Sequence, residues 1–219
     1  MIMNNTPTQQ PAIIFDMGGV LIDWNPRYLY RKLFANEAEM EWFLAEVCTQ
    51  DWNVQQDAGR PFAEGVAALT AQFPAHTSHI RAFDERWDEM VRGPIAGTVT
   101  ILEELAATGY PLYGLTNWSA EKFAQTRPRY AFFRHFRHIL VSGQVKLIKP
   151  DPRIYQLLLD HVQRPAAECL FIDDSVPNVD AAQQLGFDAI HFQSPAQLRA
   201  ELAQRRILTS KDSGDGTRD

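Results

Sequence analysis

Cysteine is almost absent from this 219-residue chain, which carries only Cys48 and Cys169, far apart. Two isolated thiols match neither a metal spacing nor a disulfide framework. Both are expected as small buried apolar residues in a reducing cytoplasm. A basic excess is also missing: 27 Asp and Glu stand against 21 Lys and Arg, a net charge of -6. Nucleic-acid binding needs a cationic face to neutralise phosphates, so this balance argues against that partner. No apolar run is long enough to cross a bilayer, which argues against a membrane role. The opening residues, Met1-Ile2-Met3-Asn4-Asn5-Thr6-Pro7, have neither the cationic start nor the apolar core of a secretory signal.

What is present is a soluble composition, 45% hydrophobic and 22% charged, ample for a core. The chain is organised around Ile13-Ile14-Phe15-Asp16-Met17-Gly18-Gly19-Val20-Leu21. A short apolar run closed by a turn signal fits a buried parallel strand, here ending on a carboxylate. Gly18 and Gly19 let the backbone turn sharply and approach a ligand. Open α/β sheets place their chemistry just past the carboxyl ends of such strands.

From residue 27 to 94 strand-like runs vanish. Apolar residues recur at helical spacing through Tyr28, Leu33, Met40, Phe43, Val47, Phe62, Val66, Leu69, Ile80, Phe83, Trp87, Met90 and Val91. Breaks fall at Asp57-Ala58-Gly59-Arg60-Pro61 and Phe73-Pro74-Ala75-His76. About four helices are expected, inserted as a lid over the strand end. Strand–helix alternation then resumes, with strands near residues 110–115, 139–142, 169–172 and 189–192. The expected architecture is an α/β, doubly wound parallel sheet carrying an inserted helical cap. Residues 12–26 and 95–208 form the core, and 27–94 the cap. Residues 1–11 and 209–219 read as loose ends.

Polar groups fall at strand ends or helix entrances at Asp16, Thr116-Asn117, Lys149 and Asp173-Asp174. Three carboxylates gathered on one edge repel one another unless a cation joins them. Hard oxygen ligands without His or Cys suit Mg²⁺. Lys149 and the Thr116 hydroxyl suit the oxygens of a phosphoryl group, and Asp16 is then placed to attack phosphorus.

Phe15-Asp16-Met17-Gly18-Gly19-Val20-Leu21, Leu115-Thr116-Asn117, Lys149-Pro150 and Phe171-Ile172-Asp173-Asp174-Ser175 resemble the four ordered motifs of the haloacid dehalogenase (HAD) superfamily. The likeness covers nearly the whole chain, and the insert resembles that family's C1-type cap. The resemblance implies a Rossmann-like core and Asp16 as nucleophile and metal ligand. It implies further metal ligands in the Gly18 carbonyl and Asp174, with Asp173 beside them. Thr116, Asn117 and Lys149 would bind the phosphoryl group, with Gly19 close by, and Asn178 and Asp180 would steady the acidic pair.

The family's phosphatases commonly carry a second aspartate two residues after the nucleophile, to protonate the leaving group; here Gly18 stands there. Asp23 or His76 could supply the missing proton, or the leaving group could be good enough to need none. Asp-x-Gly-Gly-Val resembles sugar-phosphate phosphatases, notably those acting on glucose 1-phosphate. The expected function is Mg²⁺-dependent hydrolysis of a small phosphorylated metabolite, such as a sugar phosphate, by a cytoplasmic monomer or homodimer. Trp24 and Arg60 are the expected substrate contacts from the cap side, whereas Trp52 and Trp87 are expected to pack helices. Two other readings stay open. A 2-haloacid dehalogenase would use Asp16 on carbon. A regulatory protein would keep the scaffold without turnover.

Overall fold

The computed structural model describes residues 10–209. The expectation of loose ends falls largely outside them. In chain order the strands are β1 (Ala12–Phe15), β2 (Ile22–Trp24), β3 (Val91–Pro94), β4 (Leu112–Thr116), β5 (His138–Val141), β6 (Cys169–Asp173) and β7 (Asp188–His191). Between β2 and β3 run α1 (Arg27–Tyr30), α2 (Glu37–Glu46), α3 (Gln50–Asp57), α4 (Phe62–Gln72) and α5 (Thr77–Glu85). After β3 come α6 (Ala96–Ala107), α7 (Ala120–Thr126), α8 (Ser142–Val145), α9 (Pro152–Val162), α10 (Val176–Gln184) and α11 (Pro195–Gln204).

Five strands pair in the order β5-β4-β1-β6-β7, all parallel. Their apolar sequences follow from burial on both faces. Ile13, Phe15, Leu170 and Ile172 enter one core, while Ile14, Leu115 and Phe171 enter the other. The two-residue alternation sends neighbours to opposite sides of the sheet. β1 is central, and its neighbours β4 and β6 lie on either side, so the chain reverses direction across the sheet at β1. A crevice opens at such a reversal, beyond the carboxyl ends of the strands.

The first core continues out of the sheet into the inserted helices through Phe43, Trp52, Phe62, Phe83 and Trp87. Local signals shape these helices. Asn36 and Thr49 accept main-chain N–H groups at the starts of α2 and α3, and Asn25 accepts from Arg27 N at 3.0 Å. The insert leaves the sheet along β2 and returns along β3, which pair antiparallel as a separate two-stranded ribbon. This ribbon corrects the helical reading of Val91. Pairing with Trp24 draws Val91 into a strand, despite apolar spacing that continues a helix.

Candidate active site

Asp16 follows β1 directly, and its N–H still donates to Ile172 O of β6 at 2.8 Å. The strand ladder therefore fixes its position. Residues 17–22 then fold into a tight loop, in which Gly19 N donates to Ile22 O and Leu21 N to Met17 O. Gly19 has φ +73°, and a Cβ built there would lie 2.0 Å from Asp174 Oδ2. Only glycine lets the Asp174 carboxylate lie against this loop.

Lys149 is buried, 3% exposed. Its ammonium donates to Asp173 Oδ2 at 2.6 Å and to Leu115 O at 2.9 Å, and lies 2.9 Å from Asp16 Oδ1. All three of its protons therefore have acceptors. Asp173 has no exposed surface. Besides Lys149 it accepts from Ser175 N and from the Asn178 amide, and Asn178 is held in turn by Tyr155, whose hydroxyl donates to Asn178 O. Asp173 is thus saturated by protein donors, and it orients Lys149. Asp180, by contrast, is exposed.

The balance of charge is uneven. Three carboxylates, Asp16, Asp173 and Asp174, surround one lysine. Burial, reinforced by the charges of Asp173 and Asp174, pushes Asp16 up to about 7 against the pull of Lys149. Burial and Asp173 also push Asp174 up. Lys149 is held above its ordinary value, because Asp16 and Asp173 outweigh the cost of burying it.

One oxygen from each of the three acids lies within 4.8 Å of the others. Hard oxygen donors in a site short of positive charge fit Mg²⁺ better than a soft or redox metal. Asp16, Asp174 and the Gly18 carbonyl are the groups that would hold it, since Asp173 is already occupied. The ion would supply positive charge against the oxygens of a bound phosphoryl group.

These residues border a cavity of about 260 Å³, which Trp24, Gln50, Asn53, Val54, Asp57, Trp87, Asn117, Trp118 and Asn178 also line. The fold brings Asp16, Gly18, Gly19, Trp24, Asn117, Lys149 and Asp174 to this one space. Thr116 ends β4 beside it and is 1% exposed. The Asn117 amide is committed to the main chain of Lys149 on both sides.

Arg60 does not reach the cavity. Its guanidinium bonds Gln56 Oε1 at 2.6 Å and Trp52 O at 3.3 Å, and lies over the Trp52 ring. The turn before it explains why. Gly59 packs on Gly143 and Lys146 of the sheet domain, so the turn is docked rather than projecting. Asp23 accepts from the Tyr28 hydroxyl, and His76 lies among Trp42, Phe43 and His79; neither lines the cavity. Trp52 packs on Phe62 and Phe83, whereas Trp87 both packs on Trp24 and lines the cavity.

Sequence reasoning missed Gln50, Asn53, Asp57 and Trp118. Asp57 and Trp118 adjoin motifs that were visible: Asp57 opens the break before Arg60, and Trp118 follows Thr116-Asn117.

Known proteins resemble this chain over most of its length. A sesquiterpene phosphatase, astK, from Aspergillus oryzae is 29% identical over 193 residues, covering 88% of this chain and 95% of the relative. A phosphorylated carbohydrates phosphatase from Thermotoga maritima is 27% identical over 187 residues, covering 82% and 83%. Among solved structures, a HAD family enzyme from Bacteroides thetaiotaomicron, in complex with magnesium and inorganic phosphate, superposes with a TM-score of 0.65. It covers 85% of this chain and 96% of its own at 22% identity, which is a likeness of fold. No helix among the described residues is long and apolar enough to cross a membrane. The model of haloacid dehalogenase-like hydrolases matches residues 11–186, and the chain is a hydrolase of that family.

Proposed function

We propose that the protein is a Mg²⁺-dependent phosphomonoesterase acting on a small phosphorylated metabolite, with Asp16 as the nucleophile. The observation that carries this reading is the pairing of Asp16 with buried Lys149 beside a second, unsaturated acid, Asp174, at the mouth of one cavity. A halide-expelling reaction on carbon needs no such cluster of acids.

In the reaction, an Asp16 carboxylate oxygen attacks phosphorus while the bond from phosphorus to the ester oxygen breaks. The aspartyl phosphate then loses its phosphoryl group to water and returns Asp16 as a carboxylate. Lys149 favours the ionised form of Asp16 against the push of burial, and aims it. Thr116 and Asn117 build the end of β4 against which the phosphoryl group rests. Residues 27–94 act as the cap that excludes water during the first step, and 12–26 with 95–208 act as the core.

The substrate we favour is a sugar phosphate. Trp24, Trp87 and Trp118 give the cavity flat apolar walls, and Gln50, Asn53 and Asp57 set polar groups between them. The side chains of Gln50, Asn53 and Asp57 carry both donor and acceptor atoms. A hydroxylated ring offers faces for the indoles and oxygens that both donate and accept. The likeness to a phosphorylated carbohydrates phosphatase agrees with this. A second reading, an isoprenoid phosphate, is favoured by the same indole walls and by the likeness to a sesquiterpene phosphatase. The protein acts as a monomer or homodimer in the cytoplasm.

The test is a panel of sugar, nucleotide and isoprenoid phosphates with Mg²⁺, assayed for released phosphate, alongside 2-chloropropionate assayed for chloride. Sugar phosphates should lead. Chloride release without phosphate release would replace this function with dehalogenation, and inertness on every compound would leave a binding protein.

A further inference from the structure

Hydrolysis of an ester of an ordinary alcohol needs a proton for the departing oxygen. Gly18 offers none, and a Cβ built there would meet nothing within 4 Å among the described residues. The loop therefore leaves open space beside Asp16, and a substrate group can fill it. Three carboxyl groups line the cavity among the described residues: Asp16, Asp174 and Asp57. The first two belong to the charged cluster around Lys149. The third comes from the insert, at the end of α3.

Asp57 differs from the others in its surroundings. It is 7% exposed, and among the described residues no Lys, Arg or His contributes to its shift. Its side chain meets neutral donors, the Asn53 amide at 3.2 Å and the Ser119 N–H. Its position is fixed from the sheet domain, because the Ser142 hydroxyl donates to Asp57 O at 2.6 Å. Ser142 in turn accepts from Trp118 N at 2.9 Å, which ties both cavity residues to one point. A carboxyl group buried without a cation favours its protonated form, and burial pushes Asp57 up to about 7. A general acid works best near the operating pH.

We propose that Asp57 is the general acid of this enzyme, delivered from the helical insert to the cavity in which Gly18 supplies no acid. The proposal rests on the phosphatase reading above. As Asp16 attacks, the electron pair of the breaking phosphorus–oxygen bond passes to the leaving oxygen, which takes the Asp57 proton and departs as an alcohol. Water then attacks the phosphoryl group and passes a proton to the Asp57 carboxylate. Asp16 leaves as a carboxylate, and Asp57 is again protonated.

Two probes of similar shape separate the roles: 4-nitrophenyl phosphate, whose phenolate leaves unaided, and benzyl phosphate, whose alkoxide does not. First-turnover release of each alcohol is measured by rapid quench with Mg²⁺ on the wild type and on Asp57→Asn. We expect the variant to lose roughly 10²–10⁴-fold on benzyl phosphate, and less than about tenfold on 4-nitrophenyl phosphate. Equal losses on both esters, or an undiminished rate on benzyl phosphate, would overturn the assignment. If Asp57→Asn does not fold, Asp57→Ser is read the same way. The wild type gives an independent reading: its rates should fall only mildly from the nitrophenyl to the benzyl ester, and a steep fall would show that no acid acts. Wild-type inertness on both esters would instead remove the phosphatase reading itself.

Discussion

Asn117 holds Lys149 from both sides, accepting its N–H at 2.8 Å and donating to its C=O at 2.9 Å. The side-chain amide thus stands in for a paired strand. It links the end of β4 to the segment that delivers the buried ammonium to Asp16. Asn117→Asp keeps the acceptor but sets a second oxygen against Lys149 O. Its lost donor leaves that carbonyl unmatched, at a cost of about 1–3 kcal/mol. We expect Asn117→Asp to lower both the unfolding midpoint and kcat. A variant with unchanged kcat would show that Lys149 needs no such anchor.

Asp16→Asn should abolish turnover, because an amide cannot form the acyl phosphate. Arg60→Ala should leave KM within about twofold of wild type and reduce stability instead. Its guanidinium serves Gln56 and the Trp52 ring, and it does not line the cavity. Steady-state kinetics beside a denaturant titration separates the two effects. A large KM change in Arg60→Ala would mean that the turn at Gly59 opens to the substrate.

The metal prediction needs no turnover. Mg²⁺ should raise the melting temperature of the wild type, because an ion that binds the native state alone stabilises it. The rise should shrink sharply in Asp174→Asn. Asp180→Asn should keep it, since Asp180 is exposed on α10 away from the cavity lining. A full response in Asp174→Asn, followed by differential scanning fluorimetry, would remove Asp174 from the ligand set.

Asp57 makes a stability prediction with a definite sign. Its folded value near 7 lies above the ordinary 3.8. Between those values the native state holds a proton that the unfolded chain has lost. Stability present at low pH is therefore lost as pH rises through about 7, by up to roughly 4 kcal/mol. Above that window the contribution is flat. Asp57→Asn removes this loss, so it should melt higher than wild type at pH 8 and near wild type at pH 4. Asp16 shifts in the same direction, so only the difference between wild type and variant isolates Asp57. A difference that does not grow with pH would show that Asp57 titrates normally.

Much of the sheet could be read from the chain, because strands buried on both faces announce themselves as apolar runs closed by Asp16, Thr116 and Asp173. The acids and Lys149 were visible for the same reason: each follows a strand or opens a helix. The β2–β3 ribbon was not visible. Its strands are three and four residues long, and their pairing shifts register between Asp23 and Trp24. Asp57 was hidden differently. Its place in the cavity comes from the Ser142 bond, which joins positions 85 residues apart. The break that contains it drew attention to the cation at Arg60, whereas the docked turn turns that cation away and leaves the acid facing inward. Tertiary placement of this kind has no local period or spacing to reveal it.

A second link between the insert and the sheet domain is Lys122, whose side chain is 5% exposed. Its ammonium bonds Asp84 Oδ1 at 2.5 Å and Asp84 O at 2.9 Å, and lies 4.9 Å from the centre of the Phe62 ring. These three contacts join α7 to α4 and α5. Lys122→Met removes the ammonium from all of them and leaves the Asp84 carboxylate without its cation, so it should cost about 2 kcal/mol. Asp84→Asn keeps the carbonyl bond and the ring contact, so it should cost less than half as much. Denaturant unfolding of both variants checks the order. Equal losses would mean that the carboxylate alone holds the insert at this point, and that the ring and carbonyl contribute nothing.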